Sequence, residues 1–313
     1  MANKQDAVSV RDMIDAKNKN NRFSQFKEKL IPALLFLITA ISILTTVGII
    51  FTLLSETIEF FQLVPFAEFF TGNVLRPLSQ NPEFGILPLL AGTLISSIIA
   101  ILVAGPIGIM TAVYLSEYAS EKVRRTLKPL LEVLAGIPTI VYGFFAFTFV
   151  TPVIRSIFPA VEVTNILSPG IVMGIMIIPM IASLSEDAMV SVPNAMREGA
   201  FAMGATKLET TFRVVIPAAL SGIIASFVLG ISRAIGETMI VTIASGSSKN
   251  FTFDVTQSMQ TMTAYIVEVA SGDASAGTTI YYSLYAVAMT LFVFTLIMNL
   301  LARYVSRRFR EEY

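Results

Sequence analysis

Two charged side chains lie within an apolar segment of the sequence, where charge is costly. Arg233 and Glu237 occur between Ala218 and Ile243, among residues that are otherwise apolar or small. On insertion scales a lone arginine at the middle of a membrane helix costs about 3 kcal/mol, so it should face protein or water. The four-residue spacing places both charges on one face of a helix. Counting along that helix places Arg233 beyond the membrane midplane, toward the outside.

This pair could hold a tetrahedral oxyanion. The planar guanidinium of Arg233 can donate hydrogen bonds to such an anion, and Glu237 can accept one. Phosphate near neutral pH retains a proton that it can donate to a carboxylate, whereas sulfate has none and would be repelled. We therefore hypothesise that the pair helps to pass phosphate. The alternative is that the two charges neutralise each other and hold helices together.

The composition places these residues in a membrane protein. Of 313 residues, 54% are hydrophobic and 14% are charged, and the apolar runs extend along almost the whole chain. The absence of cysteine and histidine excludes disulfides, thiolate chemistry, the usual zinc ligands and the commonest general base. With 22 basic and 22 acidic residues, nothing in the net charge indicates nucleic acid. The sequence predicts one all-α membrane domain.

Six apolar runs are long enough to cross a membrane, which takes about 20 helical residues. They are Ile31–Leu54, Leu87–Leu115, Val133–Val153, Ser168–Leu184, Ala218–Ile243 and Thr279–Ala302. The first is predicted to be a retained anchor after an N-terminal tail, residues 1–30. Residues 105–108 contain two glycines and a proline, which predict a bend in the second run or a separate short helix. Gly170 and Gly174, four residues apart, predict a close helix contact.

The orientation follows from the lysines and arginines between the runs. Apart from Arg233, all of them except Arg76, Arg155 and Lys249 fall in alternate segments that share one side of the membrane. By the positive-inside rule, both termini are predicted to be cytoplasmic. The remaining segments are then external. The predicted organisation is a cytoplasmic tail at 1–30, an anchor at 31–54, an external segment at 55–85, a transmembrane domain at 86–303 and a cytoplasmic tail at 304–313.

The loop between the fourth and fifth runs, Ser185 to Pro217, contains an ordered set of small, charged and proline residues. It resembles the cytoplasmic signature of ABC importer permeases, with Gly199 in place of the usual alanine. The matching residues include Arg197, Glu198, Gly199, Ala200, Gly204, Ile216 and Pro217. We expect two short helices that insert into a groove on an ATPase. Glu198 is expected near the start of the first helix, and Gly204 is expected to end it in a left-handed conformation. The alternative is an ordinary amphipathic loop with a capped turn.

The chain lacks a phosphate-binding loop of its own. No lysine follows a glycine, so the Gly-x-x-x-x-Gly-Lys-Ser/Thr pattern is absent. The sequence therefore predicts a non-catalytic permease whose partner ATPase binds ATP and Mg²⁺.

Four further strings extend the resemblance to most of the chain. The run from Arg233 to Thr238 resembles the Arg-Ala-x-Gly-Glu-Thr of phosphate permeases. The strings Phe84–Leu94, Tyr114–Tyr118 and Gly136–Phe145 are also typical of that group. From about residue 30 to 305, the sequence resembles the PstC family, permease subunits of bacterial phosphate importers.

This resemblance implies a fold, a location and partners. It implies a type I ABC importer permease with a MetI-like fold in the bacterial inner membrane. The implied assembly contains a PstA-like second permease, two PstB-like ATPase subunits and a PstS-like external phosphate-binding protein. Membrane lipid is a further expected partner.

Three alternatives remain from the residues alone: a permease for sulfate or molybdate, a secondary transporter or channel that uses the charged pair as an ion relay, and a membrane enzyme.

Overall fold

The computed structural model describes the backbone of residues 10–272 and 274–308, and the side chains of residues 30–272 and 274–304. Helices dominate these residues. They are α1 Val10–Leu63, α2 Phe66–Thr71, α3 Leu87–Val113, α4 Glu121–Ala135, α5 Thr139–Phe145, α6 Thr151–Ile157, α7 Leu167–Val190, α8 Asn194–Ala202, α9 Lys207–Thr210, α10 Ile216–Ala218, α11 Leu220–Ile235, α12 Met239–Ala244, α13 Met262–Ser271 and α14 Thr279–Arg308. Residues 1–9 and 309–313 of the predicted tails lie outside the described residues.

Three π-helical turns and one small hairpin complete the described elements. The π-helical turns join consecutive α-helices or extend α3, at Tyr114–Tyr118, Ala146–Val150 and Thr211–Val215. The strands β1, Leu75–Arg76, and β2, Glu83–Phe84, pair antiparallel, with Leu75 opposite Phe84.

Five helical segments within the described residues are long and apolar enough to span a membrane. They are Leu30–Leu63, Leu87–Tyr118, Thr139–Ile157, Leu167–Val190 and Thr279–Tyr304. A sixth is obtained if Lys207–Ala218 and Leu220–Ile235, which are bent by 69°, count as one span. The prediction of six spans thus agrees with the fold, provided that the bent pair is one of them.

One of the two alternatives predicted for the second span is excluded, and the predicted start of the third span is wrong. The second span does not divide into a separate short helix, because α3 continues through Pro106 as far as Val113. The third begins at Thr139 rather than Val133, because Val133 belongs to α4. Pro138 has an extended backbone conformation at the junction, and the Tyr142 hydroxyl donates to the carbonyl of Leu134 at 2.8 Å. This hydrogen bond links the end of α4 to α5.

The chain divides into two compact units, residues 1–55 and 56–313. In the first unit, the described side chains belong to α1, and its large apolar residues are exposed. Phe36, for example, is 75% exposed and Phe51 is 70% exposed. In a chain with spans of this length and hydropathy, such a surface suits contact with lipid.

Helix α7 forms the centre of the second unit and packs closely against α3. Met173, Ile177 and Ile181 are completely buried. A Cβ atom placed on Gly170 would lie 2.8 Å from the Cβ of Ile99, and one on Gly174 would lie 2.7 Å from the Cβ of Val103. The predicted close helix contact at these two glycines is confirmed.

Gly174→Ala is expected to destabilise this contact by about 1–3 kcal/mol, the usual cost of overpacking a close interface. The added methyl group would also lie 2.8 Å from the backbone oxygen of Ala100, which cannot rotate away. Thermal unfolding of the detergent-purified protein measures the effect. Gly48→Ala is the matched control, because nothing lies within 4 Å of the position that its methyl group would occupy. Equal melting temperatures for the two variants would contradict the prediction.

The predicted external segments fold around a group of aromatic side chains. Phe60 packs edge-on against Phe69 and Phe84, with ring centroids 5.3 Å and 5.6 Å apart. These rings share a buried cluster with Met262 and Tyr265 of α13. Residues 55–85, whose structure the sequence left undetermined, thus contain the end of α1, α2 and the hairpin.

Candidate functional site

The loop predicted at Ser185–Pro217 begins later than expected. Helix α7 extends to Val190, so Ser185 is helical and completely buried. Its hydroxyl lies 2.8 Å from that of Ser226 on α11. Ile216 and Pro217, the predicted end of the loop, lie in the short helix α10. The loop proper therefore consists of α8, α9, the turn between them and the π-helical turn Thr211–Val215.

Gly204 ends α8 in the left-handed conformation that the sequence predicts. Its φ is +85°, and α8 ends at Ala202. The Ala205 amide donates to the Ala200 carbonyl at 3.1 Å, and the Gly204 amide donates to the Phe201 carbonyl at 2.9 Å. This pair of bonds is the Schellman arrangement, which satisfies the last carbonyls of a helix. The prediction for Gly204 is confirmed.

Helix α9 begins with a capping box that the sequence analysis missed. The Glu209 amide donates to the Thr206 hydroxyl at 3.3 Å, and the Thr206 amide donates to the Glu209 carboxylate at 2.9 Å. A threonine followed three residues later by glutamate is the signal that could have revealed it. Gly204 and this box together fix the turn between α8 and α9.

Gly204→Ala is expected to destabilise the turn by about 1–2 kcal/mol, because an alanine is strained at positive φ. Gly199→Ala is the control, since Gly199 lies inside α8 with nothing within 4 Å of an added methyl group. There, alanine should stabilise the helix by up to about 1 kcal/mol. The two melting temperatures are expected to shift in opposite directions. A loss of stability in G199A alone would refute this account.

Glu198 does not lie where the sequence analysis places it. Since α8 begins at Asn194, Glu198 is in the second turn, beyond the reach of a favourable interaction with the first free amides. The prediction that it lies near the helix start is wrong. Its side chain is exposed. No hydrogen bond or ion pair of Glu198 is found within the described residues.

The loop that carries Glu198 and Gly199 has an exposed apolar surface. Its members are large side chains that are about half exposed or more. They are Phe201, Met203, Leu208 and Phe212. Met203 is 89% exposed at the tip of the turn. We call these four residues and Gly199 the loop surface. Groups of large exposed apolar residues are characteristic of protein contacts.

Arg197, predicted to belong to the ATPase contact, is directed into its own chain. Its guanidinium donates to the carbonyls of Val192 at 2.6 Å and Met189 at 2.8 Å. It also forms an ion pair with Glu117 at 3.0 Å, and the two side chains are only 15% and 8% exposed. Arg197 therefore holds α8 against the end of α7.

A buried carboxylate at the end of α7 also escaped the sequence analysis. Glu186 is completely buried and lies 2.5 Å from Arg124 and 2.6 Å from Lys128 of α4. Lys128 also contacts Asp187 at 2.5 Å. Burial lowers the pKa of Lys128, but hydrogen bonds to Asp187 and Glu186 outweigh this effect, so the net pKa is raised. The ion pairs tie α4 to α7 at neutral pH.

The segment that contains Arg233 and Glu237 is not one continuous helix. Helix α11 ends at Ile235 and α12 begins at Met239, so Gly236, Glu237 and Thr238 form a break. The predicted uninterrupted span from Ala218 to Ile243 is therefore wrong. The placement of the two charges on one helical face is wrong for the same reason.

The break separates the environments of the two charged groups. Arg233 lies in the last turn of α11 and is partly exposed. Its guanidinium makes no ion pair or hydrogen bond with any described residue. Glu237 is 8% exposed, and its Oε1 accepts from the amides of Met239 at 3.1 Å and Ile240 at 3.4 Å. Glu237 thus caps the start of α12 rather than neutralising Arg233.

Neighbouring helices hold this break in place. The Thr263 hydroxyl of α13 donates to the Glu237 carbonyl at 2.7 Å. On α5, a Cβ atom on Gly143 would lie 3.1 Å from the Met239 carbonyl, so α12 approaches α5 closely at this glycine. One turn before the break, the Ser232 hydroxyl donates to Asn299 of α14 at 2.6 Å.

The structure contains several helices that can span a membrane, a broken span and an exposed loop of two short helices. In the broken span, Arg233 has no ion-pair partner among the described residues. Together these features define the membrane subunit of a transporter. The chain belongs to the family of binding-protein-dependent transport system inner membrane components, whose model matches residues 104–311. It is therefore a non-catalytic, multi-pass permease subunit of an ABC importer.

Individual relatives support this assignment. The chain is 31% identical to the probable ABC transporter permease protein YqgH of Bacillus subtilis, over 98% of the chain and 99% of the relative. It is 34% identical to the phosphate transport system permease protein PstC of Mesorhizobium japonicum, over 77% of the chain and 78% of the relative. The resemblance to PstC permeases is confirmed.

The fold matches solved ABC transporters at low sequence identity. One match is a chain of the bacterial alginate ABC transporter, which was crystallised in complex with a periplasmic protein bound to an alginate pentasaccharide. It aligns with a TM-score of 0.61 and 17% identity. The alignment covers 94% of this chain and 98% of that one. A chain of the inward-facing MetNI methionine ABC transporter aligns with a TM-score of 0.54 and 18% identity, covering 72% and 95%. The predicted all-α, MetI-like permease fold is confirmed.

Proposed function

We propose that this chain is a permease subunit of an ATP-driven importer of inorganic phosphate. The proposal rests on the position of Arg233. This arginine lies beside a break in a span of an ABC permease and has no ion-pair partner among the described residues. An uncompensated charge at such a position is a functional feature by default, because it is expensive to retain. The similarity to the PstC of Mesorhizobium japonicum supports phosphate as the solute.

The two side chains have separate roles in this proposal. Arg233 presents planar donors to the phosphate oxygens. Glu237 already accepts two backbone amides through Oε1, and the rest of its carboxylate is available to accept the phosphate proton. Sulfate lacks that proton and is repelled by the same carboxylate. The Glu237 carboxylate would thus both cap α12 and select phosphate over sulfate.

The loop surface is the proposed contact with the ATPase. Its apolar side chains and the open space above Gly199 suit insertion into a groove of a PstB-like subunit, which binds ATP and Mg²⁺. This assignment places the loop and both termini in the cytoplasm, in agreement with the positive-inside rule. Two such ATPases, a PstA-like second permease and a PstS-like external phosphate-binding protein complete the importer in the inner membrane.

Reconstitution tests the proposed function. The chain is expected to copurify with an ATPase and a second permease, and external phosphate with its binding protein is expected to stimulate ATP hydrolysis in liposomes. Competition by sulfate and molybdate distinguishes a phosphate permease from a permease for another oxyanion. Transport of phosphate by the isolated chain, without an ATPase, would overturn the proposal in favour of a secondary transporter.

A further inference from the structure

The Arg197 guanidinium joins three elements at the end of the helix bundle. It lies on α8 and donates to the carbonyls of Met189, in the last turn of α7, and Val192, just after it. It also donates to the carboxylate of Glu117, in the π-helical turn that extends α3, and to the side-chain oxygen of Asn194 on its own helix. A planar guanidinium has donors in a fixed fork, so these simultaneous contacts fix its orientation.

Glu117 is the member of this group that reaches α3. Its side chain is 8% exposed, and the ion pair with Arg197 is its only ion pair among the described residues. A carboxylate buried to this extent is unfavourable unless it is paired, so Glu117 and Arg197 hold each other in place. The neighbouring Ser116 hydroxyl contacts the Met189 sulfur at 3.3 Å, which adds a second link from the same turn to α7.

Helix α3 connects this group to the helix that carries Arg233. A Cβ atom on Gly105 of α3 would lie 2.8 Å from the ring of Phe227 on α11, so the two helices are in close contact. α3 also packs against α7 at Gly170 and Gly174. Because closely packed helices shift as units rather than deform, displacement of the end of α3 moves this interface.

We propose that Glu117 is a positioning residue for energy coupling. Through Arg197, it fixes α8 to the end of α3, so that a displacement of the loop surface by the ATPase reaches α3 and, through α3, the broken span. The role depends on the proposed function of the loop surface as the ATPase contact. Glu117 itself touches neither the solute nor, in this proposal, the ATPase.

The test uses the complete reconstituted transporter and measures the amount of solute moved per ATP hydrolysed. Glu117→Gln removes the charge and keeps the shape. It is expected to retain assembly and ATP hydrolysis while lowering transport per ATP by about threefold to thirtyfold, the range typical of mutations that alter coupling. Glu121→Gln is the matched control, because Glu121 is exposed and pairs with Arg125 on the surface of its own helix. The control is expected to leave the ratio unchanged.

A pair of variants separates positioning from simple stabilisation. Arg197→Met leaves Glu117 buried and unpaired, so the yield of assembled transporter should fall. Adding E117Q to R197M should restore the yield, because the unpaired charge is gone, but the transport-to-ATP ratio should remain low. If the double variant recovers both the yield of assembled transporter and the wild-type ratio of transport to ATP hydrolysis, Glu117 is only a structural residue and the proposal is wrong.

The outcomes also distinguish this inference from the proposed function. If the wild-type complex fails to couple ATP hydrolysis to transport, the proposed function fails. If the wild type couples and E117Q has the same ratio, only the positioning role fails. If E117Q no longer assembles, Arg197→Lys takes its place, since it keeps the charge but lacks the planar fork of donors that reaches α7 and Glu117 together. A normal ratio in R197K would then overturn the proposal.

Discussion

Phosphate uptake by the assembled transporter is expected to fall about a hundredfold when Arg233 is replaced by glutamine. In the proposed pathway, the change removes charge-assisted hydrogen bonds to the anion, worth roughly 3 kcal/mol in total, and each factor of ten corresponds to about 1.4 kcal/mol. Because Arg233 has no ion-pair partner among the described residues, its removal leaves no carboxylate unpaired there. Folding and assembly should therefore be retained. Uptake of radiolabelled phosphate into proteoliposomes measures the effect.

Two further variants make this prediction specific. Arg233→Lys keeps the charge but loses the planar fork of donors, so uptake should lie between those of the wild type and R233Q. Arg76→Gln removes an exposed cation from the hairpin and should leave uptake within about twofold, since isolated exposed charges contribute little. Equal uptake by R233Q and wild-type transporters, at equal assembly, would remove Arg233 from the proposed pathway.

Hydropathy predicted the spans well because membrane insertion depends on the average over a helix, not on any single contact. The runs at 87–115, 168–184 and 279–302 each fall within or close to an observed helix. The boundary at Val133 was wrong because the apolar residues at the end of α4 continue the apolar pattern of α5. Only the short turn at residues 136–138, which ends in the extended conformation of Pro138, separates the two helices.

The break at residues 236–238 could not be predicted from hydropathy either. Apolar residues continue from α11 into α12, so hydropathy averaged along the sequence indicates one span. A local signal was present, because Gly236 weakens a helix and Glu237 can accept the first amides of a new one. Whether a glycine breaks a membrane helix depends on neighbours that satisfy the freed backbone groups, here Thr263 of α13. Those contacts are tertiary and cannot be inferred from the span itself.

In the loop, too, local features could be predicted from the sequence and tertiary contacts could not. Gly204 could be assigned from sequence because a left-handed helix end favours glycine whatever surrounds it. Arg197 could not, because its acceptors are two carbonyls at the end of α7 and a carboxylate 80 residues earlier in the chain. The pattern of small and charged residues indicated that the loop contacts a partner, but not which side chains face outward. Glu186 was missed because the predicted loop began at Ser185, before the end of α7.

Glu237→Gln is expected to reduce the preference for phosphate over sulfate by about tenfold while the helix break is retained. The amide oxygen of glutamine can accept from Met239 and Ile240 as Glu237 Oε1 does, at 3.1 Å and 3.4 Å in the wild type. The cap therefore persists, and only the negative charge is lost. In the proposed mechanism, loss of that charge removes the repulsion of sulfate, and a loss of roughly 1.4 kcal/mol of discrimination corresponds to the tenfold change. Competition between labelled phosphate and sulfate measures the preference.

Glu237→Ala separates selectivity from helix capping, because it removes both the charge and the acceptor. Loss of a helix cap typically costs about 1 kcal/mol, so E237A should be less stable than E237Q in thermal unfolding. Both variants should share the weakened selectivity if the charge is responsible. If E237Q discriminates against sulfate as the wild type does and only E237A is impaired, Glu237 is a cap and Arg233 must select phosphate with other groups. The broken span thus offers two residues, Arg233 and Glu237, whose contributions to binding and to structure can be measured independently, since only Glu237 accepts hydrogen bonds from the backbone.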